Sequence, residues 1–274
     1  MKPLPWLVHG FSTRREGVSK VYGGKTLNLG FTQQDSRAAV EKNRDKFIRS
    51  TGAISQGRPW PLVTVRQIHS DLIHLVSEVP KSPLAGDGLI TQRPGILLSI
   101  LTADCLPVIL VDTKRRGVGV FHAGWRGTLK RIVEKGAGEM HRYFNTSPAD
   151  IRAAIGPGVH GCCYNVGPEL RTQFESQFEY GSKLFRAVEE SDPVREKYPL
   201  LFLTARAPGH SELPKKLCLD LVEANRQQLL AIGVASKHIS ASPLCTACRN
   251  DLLFSYRAEK GVTGRMMAIA GIRG

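Results

Sequence analysis

The sequence predicts an α+β fold: mixed β-sheets with flanking helices, in a single domain spanning residues 1–274. Three observations predict it. First, some of the short runs rich in Val, Ile and Leu follow one another across turns of a few residues, as 108–112 and 118–121 do around the basic turn Lys114-Arg115-Arg116. Second, helical patterns are few and irregularly placed, which argues against a regular alternation of strand and helix. Third, 274 residues that are 42% hydrophobic and 23% charged make an ordinary globular composition with ample capacity to bury a core.

Taken in order, residues 36–49 read as a helix capped by Asp35 or Ser36, with Val40, Phe47 and Ile48 on its apolar face. Strands are expected at 62–67, 71–76, 96–101, 108–112 and 118–121. A helix is expected over 128–143, weakened by Gly136 and Gly138. A strand at 151–155 ends on Gly-Pro-Gly, and helices follow at 168–177 and 219–232. Residues 254–256 and 266–270 read as closing strands. The stretch 181–216, with several prolines and weak periodicity, reads as an excursion from the fold, and Pro214-Lys215-Lys216 as a loop.

The composition excludes some functions. The formal charge of +14 suits anionic ligands, but the basic residues are dispersed, with no basic stripe interleaved with aromatics, so nucleic acid is not an expected partner. The longest apolar stretch, 95–111, is broken by Thr102, Asp104 and Pro107 and is not a membrane span. The first residues, interrupted by Pro3 and Pro5, do not read as a signal peptide. Six cysteines without a small-scaffold spacing then suggest a reducing cytoplasm and free thiols.

Three metal-capable residues share one feature. His69, Cys105 and His122 each fall at the carboxyl end of an expected strand, and would converge if those strands were neighbours in one sheet. Pro107 is read as marking the break after Cys105. Two histidines and a cysteinate leave a fourth position open, as in a catalytic zinc site, where the metal can bring the pKa of bound water to roughly 7. Gln67 and Asp104 are candidates for orienting the ligands or the substrate.

The quoted residues "RQIHS", "GDGLIT", "TADCLPVIL", "FHAGWRG", "IGPGVHGCCYNVG", "LDLVEANRQQL" and "SYRAEKGVTGRMMAIAGI", with "HGFSTRREGVS" and "LNLG" before them, lie in the order expected of a known family. The chain resembles the YfiH-like zinc purine nucleoside phosphorylases, earlier described as multicopper polyphenol oxidases or laccase-like proteins. The resemblance covers nearly the whole chain. Its sharpest motif is the triplet His69, Cys105, His122, with steps of 36 and 17 residues. It implies a cytoplasmic α+β enzyme, a monomer or weak homo-oligomer, with zinc at the triplet. It also implies phosphorolysis of adenosine, inosine, guanosine and methylthioadenosine to base and ribose 1-phosphate, and deamination of adenosine. Asn165, where an acidic residue is commoner, and "LLFSYRAEKG" depart from the family pattern without touching the triplet.

Further site residues follow from their surroundings. Arg126, at a glycine-flanked helix start, is a candidate for gripping phosphate, and Trp125 for stacking on a purine or packing in the core. Arg14 and Asn28 match family positions near the site and otherwise read as turn residues. Asp87 could orient ribose or cap a turn. The remaining histidines, His210 among them, and the cysteines at 162, 163, 245 and 248 are read as structural or filler. Three rivals stay open. The same Cys105 and His122 could serve a Cys–His hydrolase as nucleophile and base. A copper polyphenol oxidase is less favoured, because the eight histidines include no His-x-His pair. A non-enzymatic binding module would not call for the triplet.

Overall fold

Apolar strands that carry few polar residues must be covered on both faces, and the central strands here are covered in that way. The computed structural model describes residues 4–82, 84–189 and 215–274. The readings of Pro3, Pro214 and His210 therefore lie outside the described residues. The chain divides into two compact units, Met1–His160 with Leu221–Gly274, and Gly161–Asp220.

The larger unit holds two mixed sheets. One runs in the order β1 (Leu7–Phe11), β16 (Met266–Ile272), β8 (Leu97–Thr102), β4 (Leu62–Arg66), β6 (Leu84–Ala85). The other runs β15 (Ile239–Ala241), β11 (Ile151–Ile155), β9 (Leu106–Asp112), β10 (Gly117–Ala123), β7 (Gly88–Thr91), β5 (Ile73–Leu75). Parallel pairs such as β4 with β8 and β5 with β7 sit beside antiparallel pairs such as β9 with β10, so the sheets are mixed as expected. Every residue of β9, β10 and β16 is buried.

The two sheets share one core. Val63, Leu98, Ile100 and Ala270 of the first cluster with Leu89, Ile109, Val118 and Val120 of the second. On the outer face of the first sheet, Leu97, Met267 and Ile269 meet Phe47 and Ile48 of helix α1 (Arg37–Ser50). Ser36 caps α1 by accepting from Ala39 N–H at 3.2 Å, which selects it over Asp35 as the cap. A small ladder, β2 (Ile54–Ser55) with β3 (Arg58–Pro59), follows the helix.

The helix expected over 128–143 is instead two. The short α2 (Trp125–Leu129) is separated from α3 (Ile132–Phe144) by Arg131, whose φ of 62° no continuous helix accepts. Gly136 does not simply weaken α3: a Cβ there would meet the Phe121 ring at 2.3 Å, so the glycine lets the helix close onto β10.

The smaller unit contains β12 (Asn165–Val166), α4 (Pro168–Gln177), β13 (Phe185–Glu189) and β14 (Lys215–Leu219), its strands in the order β12-β14-β13. The described ends of the expected excursion are therefore structured, a 3-10 turn at Gly181–Leu184 running into β13 and, at the other end, β14, so Lys215 and Lys216 lie in a ladder and not in a loop. The helix expected at 219–232 is α5 (Leu221–Ala231), in the larger unit. Residues 254–256 form no strand. Their polar groups are engaged in turns instead: Ser255 N–H bonds Glu259 Oε2 at 3.2 Å, and the carbonyls of Ser255 and Tyr256 accept from Glu259 N–H at 3.0 Å and Gly261 N–H at 2.8 Å.

Candidate metal centre

The three donor residues do not come from neighbouring strands of one sheet. His69 follows β4 of the first sheet, His122 lies in β10 of the second, and Cys105 sits on the link between β8 of the first and β9 of the second. They meet where the chain crosses from sheet to sheet. The break before β9 is made by Asp104, with φ of 93°, and not by Pro107, which is inside β9 opposite His122.

Polar side chains brace the segment that carries His69 and the ring of His122. Gln67 turns its amide onto β8, donating to Leu101 C=O and accepting from Leu101 N–H, both at 2.8 Å. The side chain thus continues the β4–β8 ladder where the backbone of β4 turns away. That turn places His69 at φ 56°. Beneath it lies Asp87, wholly buried. Its carboxylate accepts from the N–H groups of Ile68 (3.2 Å), His69 (3.1 Å) and Ser70 (2.6 Å), from the Ser70 hydroxyl (2.7 Å), and from His122 Nδ1 (2.8 Å). Successive N–H groups converging on one anion form a nest.

The bond to Asp87 places the proton of His122 on Nδ1 and leaves Nε2 for the site, the arrangement that orients metal-binding histidines. His69 Nε2 is 4.0 Å from Cys105 Sγ, and the two imidazole rings meet edge to face with centroids 4.9 Å apart. The three donor atoms all lie within 4.8 Å of one another, room for one ion. His69 is exposed, Cys105 half-buried and His122 buried, so the site opens on the His69 side. Gly124 closes another side. A Cβ at that position would stand 2.8 Å from Cys105 Sγ and 3.4 Å from His69 Cδ2.

The electrostatics follow from this packing. Burial disfavours the Cys105 thiolate, but the charge of His122 and hydrogen bonds from both histidines outweigh it and lower the thiol to about 6. Burial likewise opposes the His122 imidazolium, yet Cys105 and Asp87 raise it to about 9. Burial also acts against Asp87 as an anion. The bonds from His122 and Ser70 prevail and hold it well below the usual carboxylate range. The two shifts reinforce one another, each charge favouring the other. Two imidazole nitrogens and an easily ionised thiol, backed by a carboxylate, fit a zinc ion with a position left open.

The other expected site residues are placed differently. Asp87 has every acceptor position engaged by the turn and His122, so it braces these two segments and leaves nothing for a ribose hydroxyl. Asn28 is wholly buried. Its amide donates to Gly30 C=O at 2.9 Å and Asp35 Oδ2 at 2.8 Å and accepts from Arg265 N–H at 2.9 Å. Arg14 is clamped by Glu259 Oε1 at 3.0 Å, Asn250 C=O and Tyr22 C=O at 2.6 Å, and lies over the Phe254 ring. Both tie the loops around 12–30 to the C-terminal segment, and neither reaches out as a substrate contact. Arg126 alone of these is exposed, its guanidinium 4.2 Å from the centre of the Trp125 ring and two residues beyond Gly124. Ser70 and Gly124 were not singled out from the sequence. The signal for Ser70 was its place beside His69, and for Gly124 its place two residues after His122.

Comparison with known proteins follows the same outline. A family model described as multi-copper polyphenol oxidoreductase laccase matches residues 8–273. The purine nucleoside phosphorylase YlmD of Geobacillus stearothermophilus is 34% identical over 287 aligned residues, covering 99% of this chain and 92% of that protein. The protein of the same name from Bacillus subtilis is 30% identical, covering 97% and 89%. The crystal structure of the hypothetical protein YfiH of Bacillus licheniformis matches with a TM-score of 0.81 at 31% identity, over 97% of this chain and 93% of that one. Among the described residues, no helix is long and apolar enough to cross a membrane.

Proposed function

We propose that this chain, which belongs to the family described as multi-copper polyphenol oxidoreductase laccase, is a zinc-dependent purine nucleoside phosphorylase that also deaminates adenosine. The observation that carries the reading is the open three-donor cluster of His69, Cys105 and His122, backed by Asp87, in a chain whose relatives bear the phosphorylase name. Zinc bound there would supply Lewis acidity toward a purine or a water molecule. The substrates are adenosine, inosine, guanosine and methylthioadenosine with inorganic phosphate, and the products are the base and ribose 1-phosphate.

The chain's own residues do the rest. Asp87 fixes the His122 ring and the turn carrying His69, so that neither imidazole swings when substrate enters. Gln67 holds that turn to β8. Gly124 keeps the space beside Cys105 clear for substrate. In phosphorolysis, phosphate attacks the anomeric carbon as the purine leaves, which requires a cationic grip on phosphate. Arg126, exposed near Gly124, supplies it, while Arg14 acts by holding the C-terminal loop. Copper is the poorer fit. Among the described histidines, His74 binds Ala85 C=O at 2.8 Å and His141 binds Thr146 C=O at 3.0 Å, so neither extends the cluster toward the many histidines a multicopper centre needs.

The test is metal analysis of protein purified without added metal, joined to inosine cleavage with and without phosphate. About one zinc per chain and phosphate-dependent ribose 1-phosphate support the reading. Stoichiometric copper, or cleavage at the same rate without phosphate, overturns it. One second reading has an observation in its favour. The low Cys105 thiol beside a basic His122 is the pairing a cysteine hydrolase uses. Full activity after zinc is stripped would establish that reading instead.

A further inference from the structure

Cys105 reaches the site on a three-residue link between the last residue of β8, Thr102, and the first of β9, Leu106. A link this short gives the sulfur no freedom beyond the dihedrals of residues 103–105. Asp104 dominates them. Its φ of 93° is unusual for a residue with a side chain, and such a strained conformation persists only where the surroundings impose it.

The surroundings do impose it, and they come from far along the chain. Asp104 Oδ1 accepts from the Thr246 hydroxyl at 2.6 Å and the Ser255 hydroxyl at 2.7 Å, and Oδ2 from Arg257 N–H at 2.7 Å. The Asp104 carbonyl accepts from Val159 N–H at 2.8 Å. Gly158 packs so closely on that carbonyl that a Cβ there would lie 2.9 Å from the oxygen. Thr246 and Ser255 are wholly buried, and Asp104 nearly so. A buried carboxylate with this many donors is not a surface turn adjusting to solvent. It is a knot between the Cys105 link and the loops at 158–159 and 246–257.

We infer that Asp104 is a positioning residue: through its bonds to Thr246, Ser255 and Arg257 it aims the Cys105 sulfur at the two histidines. This rests on the reading of Cys105 as a metal ligand. Asp87 holds the nitrogen donors, and Asp104 does the corresponding work for the sulfur without touching it. The thiolate is in place only when the segment 246–257 is docked, so the aim of one ligand depends on a loop more than 140 residues away in sequence.

The test uses the full chain loaded with cobalt(II), whose thiolate charge-transfer and ligand-field bands report sulfur geometry independently of turnover. Three variants are compared with the wild type: Asp104→Gly, Asp104→Asn, and the double variant Thr246→Val with Ser255→Ala. Each is also assayed for zinc release to a chelator and for thermal melting. Asp104→Gly relieves the backbone and removes the tether. It should weaken the charge-transfer band and speed zinc release about 10–100-fold, the effect seen when partners behind ligands are lost. Asp104→Asn keeps an acceptor for the two hydroxyls and should recover part of the band. Should Asp104→Gly fail to fold, the double variant decides, because it cuts two tethers and leaves the strained residue intact. Wild-type bands and zinc release in a folded Asp104→Gly or in the double variant would overturn the inference. A wild-type cobalt spectrum with no thiolate band would remove the ligand reading itself, and the positioning role with it.

Discussion

The hairpin of β9 and β10 has two ends, and each is served by a wholly buried aspartate. At the turn end, Asp112 Oδ1 accepts from Lys114 N–H at 2.9 Å and Arg115 N–H at 2.8 Å, while Oδ2 has no hydrogen-bond partner among the described residues. At the open end, both oxygens of Asp87 are filled, and one of the donors is the His122 imidazole. The strands, burial and residue type are the same at both ends. The difference is what the carboxylate is attached to. Asp112 folds a turn and reaches no group capable of chemistry. Asp87 joins the His122 imidazole, on one sheet, to the backbone turn that carries His69, beyond a strand of the other. Burial of a charge alone therefore does not mark a site. What sets Asp87 apart is its attachment to a metal-capable imidazole and to the turn of a second one.

Four substitutions break or sharpen this contrast, taken from the largest expected effect downward. Cys105→Ser keeps the shape of the open end but replaces a thiolate with a poor zinc ligand. Bound zinc should be mostly lost, and phosphorylase and deaminase activities should fall together toward background. Metal content and both activities measured on one preparation check this, with a circular-dichroism melt to show that the chain is still folded. Retained zinc with full activity would mean the open end is no metal centre.

Asp87→Asn comes next. The amide cannot accept from the turn and from His122 as the carboxylate does, so the His122 imidazole and the turn carrying His69 lose their common anchor. Zinc affinity should drop roughly 10–100-fold. A competition titration against a chelator measures it. An unchanged affinity would place Asp87 in the same class as Asp112.

Gly124→Ala puts a methyl group 2.8 Å from Cys105 Sγ, closer than two such atoms can stand. The helix start or the sulfur must shift, and a misplacement near 1 Å can cost about 100-fold in rate. Turnover should fall with the melting temperature little changed. A variant with wild-type turnover would show that the space beside Cys105 is not where substrate enters.

Asp112→Asn is the control at the turn end. The amide keeps an acceptor for the two turn N–H groups, and the unpartnered oxygen is replaced by an amino group. Stability should change by no more than about 1 kcal/mol, with metal content and turnover unaltered. Loss of zinc in this variant would erase the distinction between the two ends.

Much of the fold was legible in the sequence for a local reason. Strands at 151–155 and 108–112 and the helices at 37–50 and 168–177 follow from apolar periodicity and from start signals such as the Ser36 cap and the first-turn Pro168, which act over a few residues. His69, Cys105 and His122 could also be picked out as a group, because metal chemistry restricts residue type and the motifs around them resemble a known family, and the structure does bring the three together. What local pattern could not supply was the way the donors meet. His69, Cys105 and His122 suggested one sheet edge, but they come together at a crossover between two sheets, which depends on strand order. The roles of Asp87, Asn28 and Arg14 were likewise hidden. A polar residue in a glycine-containing loop reads the same whether it faces substrate or a buried N–H group. Only the packing of distant segments assigns it. Asp104 shows the limit most clearly: its partners at 246, 255 and 257 are contributed by another part of the chain, and no periodicity encodes a hydrogen bond across that distance.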